Sequence, residues 1–332
     1  MMHTIGVVFN LKKDFPGLVG KANSVPDLAA ECEEEETVDM LSSSLAKIGE
    51  KVMLFPHKSD LLERLDEARP DIVFNIAEGW AGRNRESLIP ALLELLEIPY
   101  TGSDALTLGI ALDKAMAKRV ASTVGVRTPR YIKVSSIEDL SSMNMDFPVF
   151  VKPNYEGSSK GIRNSSRVRN MDELTAKVRW ILETYSQPAI VEEFLPGREF
   201  TVGIIGNGRP HVLPIMEVCP GNRDSADCEF VYSYETKSGN LERFRVPAPI
   251  PEHLASEIAD MAVSVFEVME CRDVARIDFR LDAEERPHFL EINPLPGLSK
   301  VSLLPLQARA AGMTYDDLVK WILTSAWSRY WH

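Results

Sequence analysis

The apolar positions at the start of the chain switch between two periods. Ile5 to Phe9 is a short run of β-formers, after which Val38, Leu41, Leu45 and Ile48 recur at helical spacing up to Gly49. Val52 to Phe55 predicts a second strand, Asp60 to Ala68 a second helix, and Asp71 to Ile76 a third strand running into a glycine-containing loop. Such alternation predicts a small parallel α/β unit. Glu86 to Glu97 reads as an apolar helix, and Pro99 to Ser103 as the strand and turn that leave the unit, so a boundary falls near residue 103.

Beyond it the pattern turns to β-type segments. A helix over Asp113 to Val124 stops at Gly125; strands over Phe147 to Pro153 and Ala189 to Phe194 enclose the loop Asn154 to Gly161 and an amphipathic helix over Met171 to Tyr185. Phe200 to Ile205, an Asn207-Gly208 turn and Val212 to Val218 predict a hairpin. The irregular stretch that follows, to about Gly239, has the length of a lid or binding loop, with disorder as the plain alternative. Leu254, Ile258, Met261, Val265 and Met269 share one face of a helix predicted over Glu252 to Glu270, a core stripe.

With 332 residues, 45% of them hydrophobic, the chain has room for two or three compact units. Its 37 basic and 49 acidic residues give a net charge of −12, which lacks the cationic footprint that nucleic-acid binding requires. The run Glu33 to Glu36 reads as a solvated helix start. Cys32, Cys219, Cys228 and Cys271 are widely spaced, which argues against a zinc knot or a redox pair and for reduced thiols. Neither a signal segment nor an apolar run of membrane length is evident, so a soluble, cytoplasmic protein without membrane partners is expected.

The candidate chemistry sits on two predicted strands, Val274 to Leu281 and His288 to Asn293. Side chains alternate along a strand, so Arg276, Asp278 and Arg280 share one face, as do Glu291 and Asn293. Two carboxylates and an amide oxygen suit magnesium bridging phosphates; equally, such a face can be a solvated sheet surface with Arg276 and Asp278 merely paired. Pro294 to Ser299 breaks the strand and leaves the Gly297 N–H for an oxyanion, or forms a rigid turn. Lys152 ends an apolar strand just before Gly157-Ser158-Ser159-Lys160-Gly161, a loop whose N–H groups can approach a phosphate or which is only a hairpin tip; its spacing is neither that of a P-loop nor that of a dinucleotide fold.

In this order the segments resemble the ATP-grasp superfamily, and within it the D-alanine–D-alanine ligase family, from about Asp71 onward. The resemblance is carried by Val151-Lys152-Pro153 with Glu156-Gly157-Ser158-Ser159, Val191 to Leu195 with Gly197 to Thr201, Tyr234 to Lys237, Arg276-Ile277-Asp278, and Leu290 to Asn293 with Pro296-Gly297. It implies an ATP-grasp fold behind an N-terminal parallel α/β domain: residues 1–103 for substrate, a central part at 104–192, and a catalytic part at 193–332 with a lid loop at 220–239. It makes Lys114 and Lys152 the phosphate lysines, Glu192, Glu193 and Leu195 the adenine hinge, and Glu199 the ribose ligand. Lys237 becomes the lid lysine for the γ-phosphate, and Asp278, Glu291 and Asn293 the metal ligands. Arg276 and Gly297 become stabilisers of the tetrahedral intermediate, joined in the catalytic set by Ser158 and Lys237, and Ser302 holds the second substrate. The implied cofactors are ATP and two magnesium ions, with manganese as a substitute. The implied partners are small amino-acid-like molecules, and a homodimer is compatible with the resemblance.

The first domain departs from the family pattern. Phe9 to Lys12 begins an insertion where a Gly-Gly turn is usual, and the glutamate for the first substrate's ammonium has no clear counterpart among Glu31 to Glu36. Ala77-Glu78-Gly79-Trp80 replaces a His-Gly loop, with Arg83 and Arg85 nearby, and Ser238 follows the lid lysine where a tyrosine is usual. These differences assign Glu78 to the substrate site and predict a carboxylate–amine ligase whose first substrate is not D-alanine. A genuine D-alanine–D-alanine ligase and a non-catalytic nucleotide-binding module are the alternatives.

Overall fold

A computed structural model describes residues 3–15, 27–48, 51–221, 233, 234, 236, 239 and 242–331. Its architecture is three sheets clad with helices. In the first, strand β1 (Thr4–Phe9) lies between β2 (Lys51–Pro56) and β3 (Ile72–Asn75), all parallel. Parallel strands need both faces covered, and the sequence supplies apolar side chains to both. Ile5, Val7 and Phe9 pack on α1 (Glu35–Lys47) and on the last helix, while Val8, Phe55 and Val73 pack on α2 (Leu61–Ala68) and α3 (Leu88–Leu95).

The second sheet is antiparallel, in the order β4 (Tyr131–Val134), β7 (Ala189–Glu193), β5 (Val149–Pro153), β6 (Arg167–Val168), and is covered by α6 (Met171–Tyr185) through Leu174, Val178 and Ile181. The third has the order β11 (Glu242–Arg245), β10 (Met216–Pro220), β8 (Glu199–Ile205), β12 (Val274–Leu281), β13 (Pro287–Asn293), with β9 (His211–Val212) also on β8. One face of it is sealed by α5 (Lys114–Thr123) and α7 (Glu252–Val268), on which Leu254, Ile258 and Val265 are buried, with Met269 buried just past its end. On the opposite face Leu304 and Gln307 pack against β8, and Glu199, Thr201, Arg276, Asp278 and Arg280 line a cavity.

Several elements differ from the sequence expectation. The segment predicted as one strand from Val212 to Val218 is split around Pro214, which has no N–H to give a ladder, and its halves pair with opposite ends of β8. Residues 86 and 87 are not helical; α3 begins at Leu88. A helix absent from the prediction, α4 (Ala105–Leu112), is capped by Asp104, which accepts from the Thr107 N–H at 2.9 Å. Helices α8 (Leu303–Ala310) and α9 (Tyr315–Tyr330) close the chain, and α9 returns to the first sheet, where Lys47 meets Asp316 at 3.0 Å. Most of the expected lid, including Lys237 and Ser238, lies outside the described residues, as does Cys228. Of the lid residues described, Tyr234 donates its N–H to the Ile162 carbonyl at 3.0 Å. Among the described residues no helix is long and apolar enough to cross a membrane.

Candidate active site

Strands β12 and β13 form the floor. Arg276 stands opposite Asn293 and Asp278 opposite Glu291, while Ile277, Phe279 and Ile292 point into the core, so alternation places the polar set on the open face; the register shifts between Asp278 and Phe279, and past that shift Phe289 also turns into the core. Asp278 accepts from Thr201 Oγ1 at 2.5 Å and from Arg276 at 3.1 and 3.2 Å. Glu291 meets Lys114 Nζ at 3.3 Å and Lys152 Nζ at 3.7 Å. Burial alone would raise the Glu291 carboxyl, yet the ammoniums of Lys114 and Lys152 and the Arg276 guanidinium hold it at about 2. It is therefore an ionised, metal-competent oxygen ligand at neutral pH.

A line of buried charges runs back from this floor. Lys152, at the end of β5, lies 3.2 Å from Glu192 on β7, and Glu192 lies 3.0 Å from Lys118 on α5. Lys118 is fully buried and donates to the Phe289 and Leu290 carbonyls at 3.2 and 2.8 Å, the backbone that leads into Glu291. Burial lowers its ammonium to about 8 despite Glu192, while the two lysines keep Glu192 below the usual carboxylate range against its own burial. Lys118 belongs to none of the sequence motifs. Its only signal was the spacing of four from Lys114 on one helix face.

The serine loop has the backbone of a strained turn. Ser158 and Ser159 are both left-handed, at φ 48° and 60°, which for residues with a Cβ costs about 1–2 kcal/mol each. Turn N–H groups of this kind make an anion-binding concavity, and strain of this kind gathers at functional sites. Lys114 Nζ donates to the Glu156 carbonyl at the loop's entry.

These pieces open on one cavity of about 820 Å³. Lys152, Ser158, Glu192, Glu193, Leu195, Glu199, Arg276, Asp278, Glu291, Asn293, Gly297, Ser302 and Glu78 all line it; Lys114 does not, but reaches it through Glu291. Glu199 is paired with Arg280 at 3.1 Å, and burial, with Asp278 and Glu291 nearby, raises its carboxyl despite that partner. Ser302 occupies the N-cap position of α8 without a side-chain capping bond and shares a 2.8 Å hydroxyl contact with Ser299; a Cβ on Gly297 would come within 2.9 Å of Ser302 Oγ. Carboxylate and amide oxygens are hard donors, so the chemistry of Asp278, Glu291 and Asn293 fits a magnesium ion.

At its far end the cavity is acidic, bounded by Glu31, Glu33 and Glu78. Burial, and then the neighbouring Glu31 and Glu86, push the Glu78 carboxyl well above the usual range, with Arg85 pulling the other way and Glu33 adding to the rise. The arginines near this loop do not line the cavity. Arg83 pairs with Asp113 at 3.0 Å, and Arg85 is buried against Glu31 at 2.7 Å. Trp80 stacks on His57 at 5.7 Å.

The comparisons with known proteins agree with one another. A family model described as "D-ala D-ala ligase C-terminus" matches residues 120–324. An uncharacterized protein of Sinorhizobium fredii is 35% identical over 302 residues, 88% of each chain. A D-alanine–D-alanine ligase of Bordetella petrii is 34% identical over 288 residues, 85% of this chain and 84% of that one. Among solved structures, a D-alanine–D-alanine ligase of Bacillus anthracis complexed with ATP aligns over 99% of this chain and 98% of that one, with a TM-score of 0.76 at 23% identity, a likeness of fold. The VanG D-Ala:D-Ser ligase of Enterococcus faecalis aligns over 98% of this chain and all of its own, with a TM-score of 0.70 at 19% identity. The chain belongs to the D-alanine–D-alanine ligase family of the ATP-grasp fold, ATP-dependent ligases that form carbon–nitrogen bonds.

Proposed function

We propose that this ligase joins a donor carboxylate to an amino-acid acceptor through an acyl phosphate, and that its donor is not D-alanine. The observation that carries the reading is the single cavity shared by Lys152, the Ser158–Ser159 turn, Arg276, Asp278, Glu291 and Asn293. ATP enters between the second and third sheets, with its phosphates toward Lys114, Lys152 and the serine turn. Magnesium, held by Asp278, Glu291 and Asn293, neutralises phosphate charge when bound.

A donor carboxylate oxygen attacks the γ-phosphorus and ADP leaves, giving the acyl phosphate. The acceptor amine then attacks the acyl carbon, losing a proton, and phosphate departs with the C–O bonding pair. Arg276 and the Gly297 N–H stabilise the oxyanion in between. Ser302 and Arg276 suit an acceptor that carries its own carboxylate, through a hydroxyl and a guanidinium donor. Lys237 belongs to this reading as the lysine that a closing lid brings to the γ-phosphate. The three-part division at residues 103 and 192 belongs to it as well; the three sheets fall within 4–75, 131–193 and 199–293, which matches it to within one residue at β7, while α5 packs on the third sheet.

The donor half of the proposal rests on Glu78, a cavity-wall carboxyl next to Glu31 and Glu86. A buried carboxyl of this kind, set against a small zwitterion, changes which donors fit. The test supplies D-alanine as the sole amino acid with ATP and magnesium, beside a panel of amino acids and dipeptides, and reads phosphate release and amide formation. Release with another donor and little with D-alanine alone is expected. Efficient formation of D-alanyl-D-alanine overturns the donor proposal, and no release with any pair overturns the ligase reading.

A further inference from the structure

Two carboxylates from the N-terminal part reach the serine turn across more than a hundred residues of sequence. Asp27 and Glu31 lie on one turn segment, which is closed by the Ala30 N–H donating to the Asp27 carbonyl at 3.0 Å. Glu31 Oε1 accepts from the Gly157 N–H at 2.6 Å, and Oε2 from Lys160 Nζ at 3.0 Å. Asp27 Oδ2 accepts from the Gly161 N–H at 3.0 Å and from Arg163 Nη2 at 2.9 Å, and Tyr185 donates its hydroxyl to the same carboxylate at 3.0 Å. The spacing of four between the carboxylates matches the spacing of four between the glycines. Between those glycines sit the two left-handed serines.

We propose that Asp27 and Glu31 are positioning residues that pin both ends of the Ser158–Lys160 turn in its phosphate-accepting shape, so that the N-terminal part completes the nucleotide site. The inference rests on the reading of that turn as a phosphate site. Left-handed serines relax toward ordinary backbone unless their flanks are held, and both flanking N–H groups are tied here by charge-assisted bonds to buried carboxylates. Gly157 is what permits the approach: a Cβ there would stand 2.9 Å from Glu31 Oε1. Arg85 braces the same arrangement, donating to both Glu31 oxygens at 3.1 and 2.7 Å and to the Tyr155 carbonyl at 2.7 Å, just ahead of the turn. Although burial opposes it, Arg85 and Lys160 hold the Glu31 carboxyl at about 2, so the anchor stays ionised.

The test is calorimetric binding of two probes with magnesium, the non-hydrolysable ATP analogue AMPPNP and AMP, to the full chain and to its Glu31→Gln, Asp27→Asn and Gly157→Ala variants. The first two remove one anchor's charge; the third keeps every charge and inserts a methyl group between anchor and turn. Each variant is expected to weaken AMPPNP by about tenfold or more while AMP stays within about twofold, because only the longer phosphate chain depends on the turn. If Glu31→Gln does not fold, Gly157→Ala decides the same point. Unchanged AMPPNP affinity, or equal weakening of both nucleotides, overturns the proposal. An unaltered chain that binds neither nucleotide overturns the nucleotide-site reading itself, and the proposal with it.

Discussion

Replacing Lys118 with methionine tests the buried charge line at its root. The ammonium is fully buried, pairs with Glu192 at 3.0 Å and carries the Phe289 and Leu290 carbonyls. Breaking a buried pair costs about 3–5 kcal/mol, and the lower end applies here because Glu192 keeps Lys152 at 3.2 Å. The pH dependence is the sharper observation. Lys118 falls from 10.5 to about 8 on folding, so above pH 8 the unfolded chain binds more protons than the folded one, and stability rises with pH toward 10.5. The methionine variant lacks this gain. Urea unfolding at pH 7 and 9.5 should show a loss of about 3 kcal/mol that widens by about 2 kcal/mol at the higher pH. Stability curves that run parallel between wild type and variant would refute the reasoning, because the lysine would then not be titrating between its folded and unfolded values.

Three further outcomes follow from the same geometry. Asp278→Ala or Glu291→Ala should abolish magnesium-dependent turnover and leave the circular dichroism spectrum native; full turnover in either variant would contradict their assignment as metal ligands. Burial, with Glu31 and Glu156 adding and Arg85 and Lys114 opposing, raises Glu86 from 4.5 to about 7, so its contribution to stability is present below pH 4.5 and lost as pH rises through 7. Glu86→Gln should thus gain up to about 3 kcal/mol over wild type at pH 8.5 and almost nothing at pH 3.5, and equal gains at both would show that the carboxyl is not shifted. Ser302→Ala should raise the KM for the acceptor and leave that for ATP alone, whereas an equal rise in both would show a general distortion.

The strands of the site were legible because one buried face imposes alternation on them: Ile277 and Phe279 announce the partition that leaves Arg276 and Asp278 exposed to the cavity. Helix α4 was missed because Ala105 to Leu112 is apolar on nearly every side and interrupted by Gly109, so no amphipathic period marks it. The Val212–Val218 run reads as one strand because its apolar content is that of a strand, whereas Pro214 removes the N–H that continuous pairing needs. What stayed illegible is side-chain chemistry across long separations. Glu31, Arg85 and Gly157 meet from three distant segments, and nothing in their local sequence distinguishes this glutamate from its neighbours Glu33 to Glu36. Arg83 and Arg85 lie near Glu78 in sequence, yet their pairing with Asp113 and Glu31 could not be read from that proximity.

The central claim, ligation through an acyl phosphate, is tested most directly by isotope transfer. The donor that releases most phosphate in the amino-acid panel is labelled with ¹⁸O in its carboxylate and turned over with ATP, magnesium and acceptor. The account predicts one ¹⁸O in the inorganic phosphate for each amide formed, because the oxygen that attacks the γ-phosphorus leaves with it. Label appearing in AMP, or amide formed without label in phosphate, would contradict it.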